Sequence, residues 1–165
     1  MMAIWRTWGR GCYPEVMDPE VEIEGFIAKL TDEVAGQLRA ARIKMRERLP
    51  GALEIVYDNF NALAIGYGPT ERSKDIIFSI AGFPLWVSRF LVGGPFRSDP
   101  KGLLKGEGST VRHIVLKTPA TLNDPDVKDL MDQAIVRAVI PLNAAQPFRT
   151  VIKSISVNQR PRRPA

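Results

Sequence analysis

The stretch LEIVYDNFNALAIGYGPTERSKDIIFSIAGFPLWVSRFLV, from Leu53 to Val92, decides the fold. Its apolar residues recur at every second position, and its runs LEIVY, ALAIGY, DIIFSIA and LWVSRFLV are divided by turn formers at Asn59-Phe60-Asn61, Gly66 to Pro69 and Gly82-Phe83-Pro84. Links this short join antiparallel neighbours, because a parallel pair needs a long crossover. The runs therefore predict an antiparallel meander, and VRHIVLK, from Val111, adds a fifth strand after an intervening loop.

Upstream the period changes to that of a helix. Asp18-Pro19 reads as an N-cap with proline at the first helical position, and Ile23, Phe26, Ile27 and Leu30 then repeat at i, i+3, i+4, i+7 to about Leu30. Thr31 caps a second helix, with Asp32 and Glu33 at the positive end of its dipole. Val34, Leu38, Ala41, Met45 and Leu49 form its apolar stripe until Pro50-Gly51 stops it. Downstream, Asp124-Pro125 opens a last helix carrying Val127, Leu130, Met131, Ala134, Ile135 and Ala138 before Pro141. TVIKSISV alternates well enough for a short extra edge strand near residues 150–157. The sum is an α+β domain: two N-terminal helices, a five-stranded, mainly antiparallel sheet and one C-terminal helix packed on the same sheet face. It spans residues 18–158. Residues 1–17 are expected to be a flexible arm. Residues 159–165, in QRPRRPA, are expected to be a disordered basic tail with nothing to bury.

At 165 residues one domain is the expectation, and no stretch reaches the ~18 uninterrupted apolar residues of a membrane helix. The arginines near the start leave no apolar centre for a secretory signal, so the cytoplasm is the expected location. Cys12 and His113 are the sole cysteine and histidine, which excludes a metal site built on sulfur and nitrogen. The formal charge is +5, with a basic end at Arg149, Lys153, Arg160, Arg162 and Arg163. Arg39, Arg42 and Arg46 are spaced i, i+3, i+7, which reads as the solvated face of the second helix or, alternatively, as a phosphate-binding face.

The successions YDNFNALAIGYGPTER (Tyr57 to Arg72), DPKGLLKGEGSTVRHIVL (Asp99 to Leu116) and IKSISVNQRPRR near the end resemble a bacterial branch of the YdhG-like domains of unknown function. The resemblance implies a compact α+β domain, compared in some members with frataxin, for which iron binding has been proposed. Two places depart from the commoner pattern: Tyr57-Asp58-Asn59-Phe60-Asn61, and Gly106-Glu107-Gly108, where glutamate stands between the glycines in place of lysine.

KGLLKGEGSTVRH, from Lys101 to His113, invites comparison with a phosphate cradle, but a P-loop needs lysine directly after its second glycine and a helix next. Here Glu107 follows Gly106 and a strand follows Thr110, so Gly106 and Gly108 are expected to supply positive φ in a turn. The long connection still carries Lys101 and Lys105. The expected ligand-binding set is Tyr57, Asp58, Asn59, Asn61, Lys101, Lys105, Gly106, Gly108 and Arg112, gathered where the turn after the first strand and the glycine loop share one edge of the sheet. Asp58 and Asn61 would orient a ligand, Lys105 and Arg112 would supply charge, and Arg112 would pair with Asp58.

No catalytic residue set and no cofactor is expected. His113 is read as half packed beside Val111 and Val115, and no nucleophile elbow is present. The leading reading is a non-catalytic cytoplasmic binding domain, a monomer or weak homodimer, taking a small anionic ligand or a protein partner, with no membrane. The alternatives are a frataxin-like iron protein, using the acids from Asp18 to Glu24 with Asp32 and Glu33, and weak nucleic-acid binding through the basic helix and tail.

Overall fold

The structure, a computed structural model, describes residues 17–92 and 98–163, so the arm expected over residues 1–17 lies outside the described residues except for Met17. It is an α+β fold of three helices on one six-stranded mixed sheet. The elements are α1 (Pro19–Ile27), α2 (Asp32–Arg48), β1 (Leu53–Asp58), β2 (Leu63–Gly68), β3 (Phe78–Gly82), β4 (Val87–Val92), β5 (Val111–Leu116), α3 (Pro125–Val136) and β6 (Thr150–Ile155). Short 3-10 turns cover Ser73–Asp75 and Pro119–Asn123. The strand order is β5-β4-β3-β2-β1-β6. The expected meander is all antiparallel, and the extra edge strand joins it beside β1 as the one parallel pair.

The caps form as the sequence requires. Asp18 accepts a hydrogen bond from the Glu20 amide, Thr31 from the Val34 amide and Asp124 from the Asp126 amide, each satisfying a donor that a helix start leaves open. The first helix stops at Ile27, earlier than Leu30, yet Leu30 still enters the core from the turn. Two runs begin later than their apolar residues suggest. Asp75 belongs to a 3-10 turn rather than to β3, and Leu85 and Trp86 belong to the β3–β4 turn rather than to β4.

Cross-strand partners face the same side, so the register defines the core face. Val56 stands opposite Ile65, Ile65 opposite Ile80, and Tyr67 opposite Phe78. These residues, with Ile114 and Leu116, pack against Ile23, Ile27, Leu38, Met45, Leu130 and Met131 of the helices.

Two carboxylates share that face of β1: Glu54 and Asp58, one on each side of Val56, both fully buried. Glu54 meets the fork of Arg42 through Nε at 2.8 Å and Nη2 at 2.7 Å, and Arg46 Nη2 at 2.8 Å. The Tyr67 hydroxyl donates to it at 3.0 Å, and Thr150 Oγ1 lies 2.8 Å from it. Glu20 closes the group over the same two arginines at 2.9 and 2.6 Å. Two guanidinium groups thus balance two carboxylates, and α1, α2, β1, β2 and β6 are tied at one point. Arg46 also lies over the Phe148 ring, 4.4 Å from its centre.

This corrects the reading of the basic helix. Arg42 is buried, Arg46 half-buried, and only Arg39 lies on the wet face, where it pairs with Glu24. Arg42 sits four residues after Leu38 and three before Met45, which turns it toward the core.

Burial alone would raise the Glu54 pKa, but the hydrogen bonds from Arg42 and Arg46 outweigh it and hold the group below its ordinary 4.5. A depressed carboxyl pKa stabilises the fold fully above the unfolded value and loses that contribution as pH falls through the folded one. Replacing Glu54 by Gln leaves two buried or half-buried cations facing one half-buried acid, Glu20, and is expected to cost ~3–5 kcal/mol. The check is urea unfolding at pH 7 and along an acid series: the parent should lose stability below about pH 4.5, and E54Q should start lower and fall less steeply there.

Candidate functional site

β1 ends at Asp58 beside Leu63, and the register carries the same level across the sheet through Gly82 and Val87 to Leu116. At this end the β1–β2 turn, the β3–β4 turn and the C-terminal segment come together. The first turn closes through the Asn59 amide to the Ala62 carbonyl at 3.0 Å, the second through the Phe83 amide to the Trp86 carbonyl at 2.9 Å. The Arg160 amide donates to the Phe60 carbonyl at 2.9 Å and brings the third segment alongside.

Between them opens a cleft of about 320 Å³ lined by Asn61, Phe83, Pro84, Leu85, Trp86 and Arg160. The Phe83 and Trp86 rings are stacked, 5.1 Å between centres and 17° from parallel. Leu85 is 68% exposed, Phe60 50% and Trp86 43%, an unusual concentration of apolar surface for turns that ordinarily carry small polar residues. The Arg160 side chain is exposed and forms no ion pair among the described residues.

Below the cleft the Asp58 carboxylate is clamped. Lys29 Nζ donates to Oδ2 at 2.8 Å and Gln159 Nε2 to the same oxygen at 2.7 Å, while Arg162 Nη2 lies 2.5 Å from Oδ1 and donates to the Asn59 carbonyl at 2.7 Å. Burial would raise the Asp58 pKa, but the bonds from Lys29 and Gln159 and the charge of Arg162 bring it below the ordinary carboxylate value. Arg162 is only 3% exposed, and Arg163 reaches the Ala28 carbonyl and Asp32.

The segment expected to be a disordered tail is therefore docked through Arg163. The expectation of nothing to bury considered apolar side chains alone. What docks is an arginine stem and its guanidinium on a carboxylate that β1 has already buried.

The nine residues expected to form one ligand site are not brought together. Asn59 and Asn61 stand at the cleft end, with Asp58 beneath them. Tyr57 points to the opposite sheet face, where its hydroxyl is buried without a partner among the described residues and burial raises its pKa. Gly106, Gly108 and Arg112 lie toward the other end of the sheet, because β5 starts at Val111 beside Val92, while Lys105 stands beside His113 on the outer side of β5 and Lys101 reaches Asp126 of α3. Four strand spacings also separate β5 from β1, about 19 Å across the sheet. Arg112 accordingly does not pair with Asp58. Its guanidinium donates to the Gly106 carbonyl.

The glycine loop satisfies its own polar groups. Asp99 accepts the amides of Leu103 and Leu104 at 2.9 and 3.0 Å, which are donors an anion in a cradle would need. Lys105 pairs through its backbone with His113 on the free edge of β5, and Lys101 pairs with Asp126. Gly106 has φ +96°, the turn geometry expected of it. Gly108 has no positive φ, and is small because an added Cβ would lie 3.0 Å from the Val111 carbonyl oxygen.

Glu20, Glu24 and Asp32, named as candidate iron ligands, are engaged by arginines, and among the described residues no group of three or more His, Cys, Asp or Glu could hold a metal ion. Among the described residues no helix is long and apolar enough to cross a membrane.

Leu85, Trp86 and Arg160 were not anticipated as site residues. The usable signal was Phe-Pro-Leu-Trp, apolar residues around a proline at a position where the meander must turn. Compared with known families, curated proteins and solved structures, the chain finds no match.

Removing residues 159–165 strips Asp58 of two of its three side-chain partners and is expected to destabilise the fold by about 3 kcal/mol, since a buried charge is left under-compensated. In an Asp58→Asn background, where no charge needs partners, the same truncation should cost less than ~1 kcal/mol. Chemical denaturation of the four proteins supplies the cycle, and equal truncation costs in both backgrounds would contradict the clamp.

Proposed function

We propose that this chain is a small non-catalytic binding domain that takes an anionic ligand or an acidic protein partner at the turn end of its sheet. The observation that carries the reading is the cleft between the two turns, where an apolar floor of Phe83, Leu85 and Trp86 meets an exposed arginine that forms no ion pair among the described residues. Its volume sits at the lower end of the ~300–1,000 Å³ range of ligand sites, and its shape is that of a shallow seat open to solvent. Three cations that the sequence offered as anion-binding candidates are already engaged: Arg42 and Arg46 serve Glu20 and Glu54, and Lys101 serves Asp126. A free cation beside exposed aromatic surface is a recognition surface in search of the opposite charge.

The test is amide chemical-shift mapping of the full-length protein with inorganic phosphate, citrate and a glutamate-rich peptide in turn. Saturable shifts are expected at Phe60, Asn61, Leu85, Trp86 and Arg160, with none at Lys105 to Gly108. Shifts confined to the Lys101–Gly108 loop, or none with any of the three probes, would overturn the reading.

A further inference from the structure

We infer that the partner taken at the turn end is an acidic peptide segment carrying a bulky apolar anchor, that Arg160 reads its charge, and that Asp58 positions Arg160 through the docked C-terminal segment. This rests on the reading of the cleft given above and specifies it further. The first ground is charge. Beside the C-terminal segment at the turn end stand Lys29, Arg160, Arg162 and Arg163, and the ion pairs these cations form among the described residues are with two carboxylates, Asp58 and Asp32. Asp58 is shared by Lys29 and Arg162, Asp32 meets Arg163, and Arg160 is the one whose guanidinium has no ion-pair partner among the described residues. It borders the apolar floor, so a ligand that buries a side chain on Leu85 and Trp86 brings its neighbouring residues within reach of that guanidinium. A small inorganic anion would engage the charge and leave the apolar surface wet. A nucleic acid would need a row of unpaired cations to follow its phosphates, and among the residues that line the cleft Arg160 is the one cation, beside two rings already stacked on each other. A peptide with a hydrophobic residue next to glutamate or aspartate uses both features.

The second ground is connectivity. The Arg160 amide is bonded to Phe60 of the β1–β2 turn, and Gln159 just before it and Arg162 two residues after it are held on the same acid, by 2.7 and 2.5 Å to the Asp58 carboxylate. The Asp58 carbonyl also accepts from the Ser156 amide at 2.8 Å. Asp58 itself is fully buried and touches no ligand. It acts only by holding the segment that carries Arg160, which makes it a positioning residue, and a long flexible side chain gains in selectivity when its backbone is fixed.

The experiment titrates the full-length protein by calorimetry with three probes: a synthetic peptide having a Trp-Leu pair flanked by glutamates, the same peptide with glutamines, and an oligothymidylate. In the parent the glutamate peptide should bind about tenfold more tightly than the glutamine peptide, the worth of one favourable charge contact. Arg160→Gln should erase that ratio and leave the glutamine peptide unchanged, whereas Trp86→Ala should weaken both peptides alike. Asp58→Asn should lower the ratio as Arg160→Gln does and, read separately by hydrogen exchange, should remove protection from the Arg160 amide. Arg162→Gln provides the same test should Asp58→Asn fold poorly. Peptides that bind at the turn end with no dependence on charge would overturn this inference and spare the proposed function. Absence of binding by either peptide would overturn this inference, and the proposed function falls with it only if phosphate and citrate also leave the turn end unshifted. Tighter binding of the oligothymidylate, lost in Arg160→Gln, would replace the peptide by a nucleic acid. An Arg160 amide still protected in Asp58→Asn and Arg162→Gln would remove Asp58 from its positioning role.

Discussion

A carboxylate with no access to water must be met by donors on every side, and that demand at Glu54 organises the fold. Arg42 and Arg46 from α2, Tyr67 from β2 and Thr150 from β6 all converge on it, with Glu20 of α1 closing the group. An apolar contact tolerates sliding of one element over another, but a bidentate guanidinium on a carboxylate does not. The helix layer therefore has one register on the sheet. Such a group is weak evidence for net stability, since desolvating the charges offsets most of their attraction. Its effect is on uniqueness: any alternative packing leaves a charge buried and alone.

Asp58 repeats the device at the other end of the same strand face. Between the two acids stands only Val56, so the inward side of β1 reads acid, valine, acid, and the strand is held electrostatically at both ends with an apolar centre. The consequence differs at the two ends. Glu54 draws in elements that the hydrophobic core would have brought together in any case. Asp58 draws in a segment that the core would not have recruited, because Gln159 to Arg163 offers almost no apolar surface. Residues 159–163 are thus part of the domain by virtue of one buried charge, and the surface they present at the turn end exists for the same reason.

Much of the fold was legible because period and punctuation agree locally. The meander, the three capped helices and the extra strand near residues 150–157 all follow from patterns carried within single elements. What was not legible depends on pairs of residues far apart in the chain. Arg39, Arg42 and Arg46 share a helix face by spacing, but the apolar stripe of that helix is broad enough to take Arg42 to its buried side, and only Glu54, a strand away, explains why. The same holds for the tail, whose burial is determined by Asp58 about a hundred residues earlier. The glycine loop and the Asn59-Phe60-Asn61 turn were both recognisable as turns. That they lie at different ends of β1 and β5 follows from strand direction: β1 finishes, and enters its turn, at the end where β5 also finishes, so the Gly106–Gly108 turn that enters β5 is toward the far end.

The position of Leu85 and Trp86 carries the functional argument furthest. Read as the start of a strand, they would alternate between core and solvent and one of them would be buried. In the structure β4 begins only at Val87, and Pro84 holds the two residues in the turn, where neither can reach the core. A turn of polar residues would close the same hairpin at lower cost in exposed apolar surface. The Phe83 and Trp86 rings stack on one another, and Leu85 stays largely exposed. Retaining apolar surface there, next to a cation with no ion pair among the described residues, is a local conflict with the rules that the remainder of the described chain obeys. Conflicts of this kind concentrate where a protein meets something other than itself.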